Sequence, residues 1–467
     1  MTRWWVIIAA GLAVFMASVD LSITNVALPT LGHVFVVPPS ALEWVVLAYS
    51  LPAVALLLPL GRWVDTVALR GAFLLAVCGF AGASALCGLA PSLLWLVICR
   101  FLQGSFGALI AALVLPLAAS AIRPEQRGRA MGIIGALGPL GAVVGPGLGG
   151  FLLASLGWRS IFFVNVPVCV VAVLIGARTI IGPSRLAWPK RAWIVQAMVL
   201  SGAVLALFVA LTQAALDHPA YATIFILLGA AILATIVWSR LPESRVVTQV
   251  LSTRPLALSV GALALFATVG GALNYLPPFF LQNGLHATPQ EIGATVLVRG
   301  LVMGAIAPVG GYLADRWGTR PLSLLATLCV GAGLLLLVPL DTRWSLADVA
   351  WRLGLLGLGM GLFAGPNQSA VMGFAPRQVM GTVSGLSGLG RNLGFALGPA
   401  LATIVWTVSG SGLSGIRAGL VLMVAVTGLG ALSAALVRSA PRRIGAGAPD
   451  AVQVALQEER DQTMLVK

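Results

Sequence analysis

Charged side chains are scarce in this sequence: they make up 9% of its 467 residues, whereas hydrophobic residues make up 59%. A soluble protein of this length carries far more charge, so composition excludes a soluble globular fold. The three histidines lie apart, and the five cysteines lack CxxC spacing. Nothing therefore indicates a disulfide framework, a metal site or the catalytic centre of a membrane enzyme. What remains is a series of apolar runs, each long enough to cross a bilayer core of ~30 Å.

The formal net charge of +14 could indicate a nucleic-acid partner, so the positions of the basic residues decide its meaning. Basic residues are concentrated in alternate loops, for example at Arg123, Arg127 and Arg129, while the intervening loops contain few, such as Arg159 and Arg343. This alternation is the positive-inside pattern of a membrane protein. We therefore expect a multi-pass protein of the inner (cytoplasmic) membrane, with both termini in the cytoplasm, lipid around it and no nucleic-acid partner.

Fourteen apolar segments are predicted to be transmembrane helices, which makes the fold an all-α polytopic membrane protein. The first segment resembles a signal peptide, but it extends to Leu28 and contains Asp20 and Asn25, so we expect a retained helix. The predicted segments are residues 4–28, 43–60, 71–90, 93–116, 130–154, 160–181, 192–213, 220–238, 256–282, 291–313, 321–339, 349–371, 380–407 and 416–437.

The sequence also contains an internal repeat with an offset of about 250 residues. GRWVDTVALR at 61–70 recurs as GYLADRWGTR at 311–320, and RAMGIIG at 129–135 parallels VMGTVSG at 379–385. Such a repeat is typical of a transporter whose halves move about a central site. The predicted domains are a six-helix bundle of residues 1–182, a linker of residues 183–254 with two extra helices, a six-helix bundle of residues 255–440, and a cytoplasmic tail of residues 441–467.

Asp20 is the one acidic residue that lies well inside an uncharged apolar segment. At ~1.5 Å per residue it lies about 24 Å from Trp4, in the outer half of the membrane. A carboxylate near the bilayer centre costs about 2.5–3.5 kcal/mol on insertion scales, so its presence indicates a use. We predict that Asp20 carries the coupling proton and that Thr24, one turn on, hydrogen-bonds its carboxyl group. A structural aspartate tied to a neighbouring helix is the alternative.

Arg100 lies about 10 Å from the outer end of the fourth segment, at a depth similar to that of Asp20. Opposite charges at one depth in a membrane are natural partners, so we predict that Arg100 pairs with Asp20 and tunes it. Access of water or substrate would then shift the protonation of Asp20. A static buried ion pair is the alternative.

Four local sequences resemble those of a known family: DLSITNVALP (20–29), LVICRFLQGSFGA (96–108), GAVVGPGLGG (141–150) and the repeated loop already quoted. With them, over essentially its whole length before the tail, the chain resembles the 14-helix drug:proton antiporter branch of the Major Facilitator Superfamily. The resemblance implies the major facilitator fold, with two six-helix bundles plus two extra central helices. It also implies small-molecule substrates and no cofactor other than the coupling proton. We expect a monomer.

The resemblance further implies conformational roles. The segment GAVVGPGLGG at 141–150 matches the family's antiporter motif, which is associated with export. Its glycines allow close helix approach, and Pro146 permits a bend. Glycine packing without directional meaning is the alternative. The repeated loop would hold the cytoplasmic side shut in one state, with Asp65 and Asp315 paired to arginines and helix dipoles. The first copy departs from the family pattern at Thr66 and Ala68. The predicted conformational residues are Asp65, Arg70, Gly141, Gly145, Pro146, Gly149, Asp315, Arg316 and Arg320.

Family position also predicts a substrate cavity between the halves. Its candidate residues combine aromatic rings with a few polar groups, which suits bulky amphipathic ligands. Several of them could equally be membrane-interface or packing residues. They are Thr24, Trp44, Tyr49, Asn274, Tyr275, Phe279, Phe280, Asn367 and Gln368.

Arg299 and Arg391 lie inside carboxyl-half segments that contain no deep acid to balance them. We interpret them as anion-binding or structural residues, and we expect neutral, anionic or singly charged amphipathic substrates in preference to dications. The predicted function is proton-coupled secondary active export of hydrophobic or amphipathic small molecules, as in multidrug efflux and antibiotic resistance. The alternatives are a dedicated exporter or flippase of a lipid, siderophore or metabolite, a membrane enzyme, and a pore or non-transporting sensor.

Overall fold

The structure is a computed structural model that describes residues 3–37, 39–183, 186, 191–214, 221–241, 244–410 and 412–437. The predicted tail lies outside the described residues. Within the described ranges the chain is helical and forms no strand. Helix formation follows from the apolar sequence, because a segment surrounded by lipid must satisfy its backbone polar groups internally.

The described ranges contain seventeen α-helices, and all of them except α11 overlap the fourteen predicted segments. The amino-terminal half contains α1 (Trp4–Phe35), α2 (Pro39–Ala55), α3 (Leu57–Thr66), α4 (Leu69–Gly88), α5 (Leu93–Ala121), α6 (Arg127–Leu156), α7 (Ser160–Phe163) and α8 (Asn165–Thr179). The central segment contains α9 (Arg191–Ala214), α10 (Tyr221–Ser239) and α11 (Arg245–Ser252). The carboxyl-terminal half contains α12 (Arg254–Gly284), α13 (Pro289–Trp317), α14 (Thr319–Leu337), α15 (Leu346–Phe374), α16 (Met380–Val408) and α17 (Leu413–Leu436).

Ten of the described helices are long and apolar enough to cross a membrane, or up to twelve if each bent pair forms one span. The count of fourteen membrane crossings therefore stays a prediction. The second predicted span is split in two, because α2 and α3 meet at an angle of 48°. Pro52, inside the last turn of α2, removes a backbone donor near this break.

Two helices continue past prolines at which the predicted segments end, although the candidate membrane span within the first is Trp4–Leu28, as predicted. α1 continues past Leu28 to Phe35 and ends where Val36 adopts a left-handed conformation, with φ of 53°. α5 continues through Pro116 to Ala121. Buried membrane helices tolerate proline because neighbouring groups satisfy the freed carbonyl. The short helix α11 was missed altogether; it packs three valines against the protein and is too short to register as a span.

The two halves pack together at one end of the bundle, which we call the basic end. It holds the C-termini of α3 and α13 and the N-termini of α6 and α16, and it is the side predicted to be cytoplasmic. There α3 packs on α16, and α6 packs on α13. Glycines form both contacts: a Cβ on Gly61 would collide with the backbone of Gly381, and one on Gly128 with that of Gly311. The halves are therefore in direct backbone contact at the basic end.

Towards the opposite end the same two helix faces separate. Leu140 of α6 still lies against Gly304 of α13. Two turns further along α6, a Cβ on Gly147 would meet nothing within 4 Å, and two turns earlier along α13, Leu297 is exposed. The cleft that opens between the halves beyond Leu140 and Gly304 is called the outer cleft below.

Candidate functional site

Asp20 lies at the centre of a group of five fully buried polar side chains, the Asp20 cluster: Asp20, Ser84, Arg100, Gln103 and Asn165. Nη1 of Arg100 donates a hydrogen bond of 2.5 Å to Oδ2 of Asp20. The side-chain amides of Gln103 and Asn165 donate to Oδ1 over 2.8 and 2.7 Å. The same two amides donate to Oγ of Ser84. Helices α4, α5 and α8 thus enclose a carboxylate carried by α1.

Arg100 connects this cluster to α2. Its Nε donates to the carbonyl oxygen of Val45 over 3.1 Å, and its guanidinium carbon lies 4.4 Å from the centre of the Tyr49 ring. Its Nη2 is buried and has no hydrogen-bond partner among the described residues. The carboxylate and the guanidinium neutralise each other in a space closed to solvent, so removing either charge leaves the other uncompensated.

One prediction about this region is corrected. Thr24 donates to the backbone carbonyl of Asp20 over 2.7 Å, not to its carboxyl group, because a helical threonine hydroxyl readily reaches the carbonyl four residues earlier. Tyr49 is buried beside the Asp20 cluster, under the guanidinium of Arg100, and its place in a cavity stays a prediction. Ser84 and Asn165 were missed; their only sequence signal is a polar residue inside an otherwise apolar segment.

The predicted antiporter motif packs against the helix that carries Asp20. A Cβ on Gly141 would lie 2.9 Å from Cβ of Ser18, and one on Gly149 would lie 2.7 Å from Cγ1 of Ile23. Between them, Gly145 lies directly under Ser22. The three glycines, spaced four residues apart, form the face of α6 that contacts α1 on either side of Asp20. Pro146 is exposed.

Two carboxylates hold the halves together at the basic end. Asp65, on α3, accepts hydrogen bonds from the backbone N–H groups of Gly381 and Thr382 and from the Thr382 hydroxyl, at 2.5, 2.7 and 2.5 Å. Asp315, on α13, accepts from the backbone N–H groups of Gly128 and Arg129, at 2.7 and 2.8 Å. Each acid therefore caps the N-terminus of a helix in the other half, where the helix dipole favours a negative charge.

The partners of these acids differ from the predicted ones. Within the described residues, no ion pair joins Asp65 or Asp315 to Arg70, Arg316 or Arg320. Arg316 and Arg320 are exposed, and Nε of Arg70 is buried without a hydrogen-bond partner. Backbone amides serve as partners because the glycines at this boundary bring the helix ends into direct contact. The departures at Thr66 and Ala68 do not prevent the first copy from forming its contact.

The predicted cavity residues fall into two groups. Trp44 and Asn274 are exposed, and Tyr275, Phe279 and Gln368 are partly exposed. Thr24, Asn367 and Phe280 are buried. Phe280 packs edge-on against Trp344, 6.0 Å between ring centres, inside the carboxyl-terminal half. Phe280 is buried in this conformation, and the assignment of these residues to a cavity stays a prediction.

Comparison with known proteins identifies the family. The family model described as "Major Facilitator Superfamily" matches residues 10–274 and residues 258–458. The chain belongs to the Major Facilitator Superfamily. Among curated relatives of this superfamily, the multidrug resistance protein Stp of Mycobacterium tuberculosis (strain ATCC 25618 / H37Rv) is 32% identical over 414 residues, covering 86% of this chain and 75% of that protein. The chain is accordingly a multi-pass membrane transporter of the drug-efflux branch.

Other superfamily members give the breadth of the similarity. The riboflavin transporter RibZ of Clostridioides difficile (strain 630) is 29% identical over 408 residues, covering 85% of this chain and 87% of that protein. The crystal structure of the human organic anion transporter MFSD10 (TETRAN) matches with a TM-score of 0.65 and 18% identity, covering 92% of this chain and 99% of that one. This structural match shows that the major facilitator fold extends over both halves of the chain.

Proposed function

We propose that this transporter exports hydrophobic or amphipathic small molecules in exchange for protons, with Asp20 as the proton-carrying residue. The observation that carries the proposal is the Asp20 cluster: a fully buried carboxylate, bound by Arg100 and two side-chain amides, inside an apolar bundle. An intramembrane carboxylate of this kind is typical of proton-coupled transport. Export as the direction is supported by the glycine motif on α6 and by the multidrug relative.

Protonation of Asp20 removes the negative charge that balances Arg100. Leaving a buried partner uncompensated costs about 3–5 kcal/mol, which is enough to change a two-state ratio by about 100-fold or more. The guanidinium also binds the carbonyl of Val45 on α2, so its movement acts on α2 and α3. Opening of the contacts at the basic end then exposes the cavity to the other side of the membrane, as alternating access requires.

The test is Asp20→Asn in proteoliposomes with an imposed pH gradient, using a compound first found by efflux from cells that overproduce the protein. Transport driven by the gradient should be lost, while the variant remains in the membrane. Asp341→Asn is the matched control, because it makes the same chemical change in a loop where the carboxylate accepts a bond from the backbone of Arg343. Gradient-driven transport at the wild-type rate in Asp20→Asn would refute the assignment.

A dedicated metabolite exporter on the same scaffold is the second candidate, because a relative of similar length is a riboflavin transporter. A dedicated carrier should be stabilised against heat by one compound class. A broad drug exporter should instead show small shifts with many unrelated compounds. Thermal unfolding of the purified protein with riboflavin and with a panel of amphipathic drugs separates the two.

A further inference from the structure

Arg299 carries an unused hydrogen-bond donor in the carboxyl-terminal half. It lies on α13, and its Nη2 donates to Oδ1 of Asn274 on α12. Its Nη1 is shielded from solvent and has no hydrogen-bond partner among the described residues. Asn274 itself is exposed. The asparagine therefore holds Nη2 of the guanidinium in place and leaves Nη1 without a hydrogen-bond partner among the described residues.

No acid of the described carboxyl-terminal half is placed to neutralise Arg299. The acids in its helices and loops are Glu291, Asp315, Asp341 and Asp348. Two of them form capping boxes at helix starts, one binds the N-terminus of α6, and one binds a loop N–H group. Arg391, inside α16, likewise has no ion pair within the described ranges. Uncompensated guanidinium groups inside a membrane protein are costly, so an anionic ligand would be bound favourably here.

An aromatic group lies next to Asn274 along α12 and includes one ring of α16. Tyr275 follows Asn274 directly, and its ring lies 4.7 Å from that of Phe279, whose ring lies 4.8 Å from that of Trp406. All three side chains are partly exposed, and the indole N–H of Trp406 is buried without a hydrogen-bond partner. The region thus offers apolar surface together with unused donors, and the described residues supply no carboxylate to occupy them.

We propose that Arg299, positioned by Asn274, binds the carboxylate of a monoanionic aromatic substrate, while Tyr275, Phe279 and Trp406 contact its ring system. A guanidinium donor forms charge-assisted hydrogen bonds with a carboxylate, and one uncompensated positive charge suits a monoanion. The inference rests on the proposed exporter function, because it names the substrate class that such an exporter would take.

The test measures binding to the purified protein in nanodiscs by energy transfer from tryptophan to pyrene, with pyrenebutyrate and its methyl ester as a matched pair. Wild type should bind the acid at least about 10-fold more tightly than the ester. Arg299→Gln should weaken binding of the acid about 10-fold and leave binding of the ester unchanged. Arg299→Lys should retain part of the difference. Arg343→Gln, which removes one positive charge from an exposed loop residue, should have no effect.

Asn274→Asp is a second variant, which keeps the proposal testable if the Arg299→Gln protein does not fold. It places a carboxylate of nearly the same size beside the guanidinium, so it should abolish the preference for the acid. Equal binding of acid and ester by wild type, or equal loss of both in Arg299→Gln, would overturn the proposal. The binding measurement needs no proton gradient, so a negative binding result does not contradict the role of Asp20. Conversely, wild-type transport by Asp20→Asn would refute the role of Asp20 without affecting the binding measurement.

Discussion

The two inter-half contacts differ in strength, which gives a quantitative prediction about the basic end. Asp65 accepts three hydrogen bonds from α16, whereas Asp315 accepts two from α6. A net value of ~1 kcal/mol per bond is appropriate because the carboxylate regains water when the contact opens. Asp65→Ala should then shift the closed-to-open ratio by about 3 kcal/mol, or ~100-fold, and Asp315→Ala by about 2 kcal/mol, or ~30-fold.

Spin labels on the two halves measure this shift directly. Arg123 and Arg377 are exposed, lie on opposite halves and line the same surface cavity at the basic end. Cysteines at these positions, with Cys78 and Cys329 replaced by serine, allow pulsed distance measurements in nanodiscs. Wild type should show mainly the short distance. Asp65→Ala should add a large population at longer distance, and Asp315→Ala a smaller one.

The order of the two effects is the critical result. The sequence departs from the family pattern only in the first copy of the loop, and sequence alone would therefore make Asp65 the weaker contact. The bond geometry predicts the reverse. An unchanged distance distribution in both variants, or a larger effect of Asp315→Ala than of Asp65→Ala, would refute the reasoning. Asp65→Asn keeps the size of the side chain and should give an intermediate shift.

Two further substitutions test the surroundings of Asp20. Asn165→Leu keeps a similar side-chain volume but removes the amide that donates to Asp20 and Ser84. The free energy of unfolding should fall by about 1–3 kcal/mol, which lowers the thermal unfolding midpoint. An unchanged midpoint would show that the amide is not needed to hold the carboxylate. Gly145→Val places a branched side chain against the backbone of α1, so transport and stability should both fall. Gly147→Ala, which faces open space, is its control and should behave as wild type. Equal behaviour of these two glycine variants would contradict the α1–α6 packing.

The sequence predicts those parts of the site that depend on how deep a residue lies along one helix, but it does not predict contacts that depend on which helix faces meet. Asp20 and Arg100 could be predicted as partners because each is a lone charge at a similar distance from the outer end of its segment. Asn165 could not, because it lies 145 residues from Asp20 and the sequence does not state which face of α8 is turned inward. The amide partners of Asp65 and Asp315 could not be predicted either, because a backbone N–H group has no side-chain signature. α9 likewise gave no sequence signal for its position beside α2 and α16.

If Asp20 carries the coupling proton, as proposed above, its position connects that proton to both contacts at the distant basic end. On one side, Arg100 joins the carboxylate to the carbonyl of Val45 on α2, and the chain continues through the bend at residue 56 into α3, which carries Asp65. On the other side, the glycine face of α6 packs on α1 around Asp20, and the N-terminus of α6 is the group that Asp315 binds. Because both paths begin at the same carboxylate and end at opposite contacts between the halves, we expect loss of its charge to disturb two supports of the closed end together.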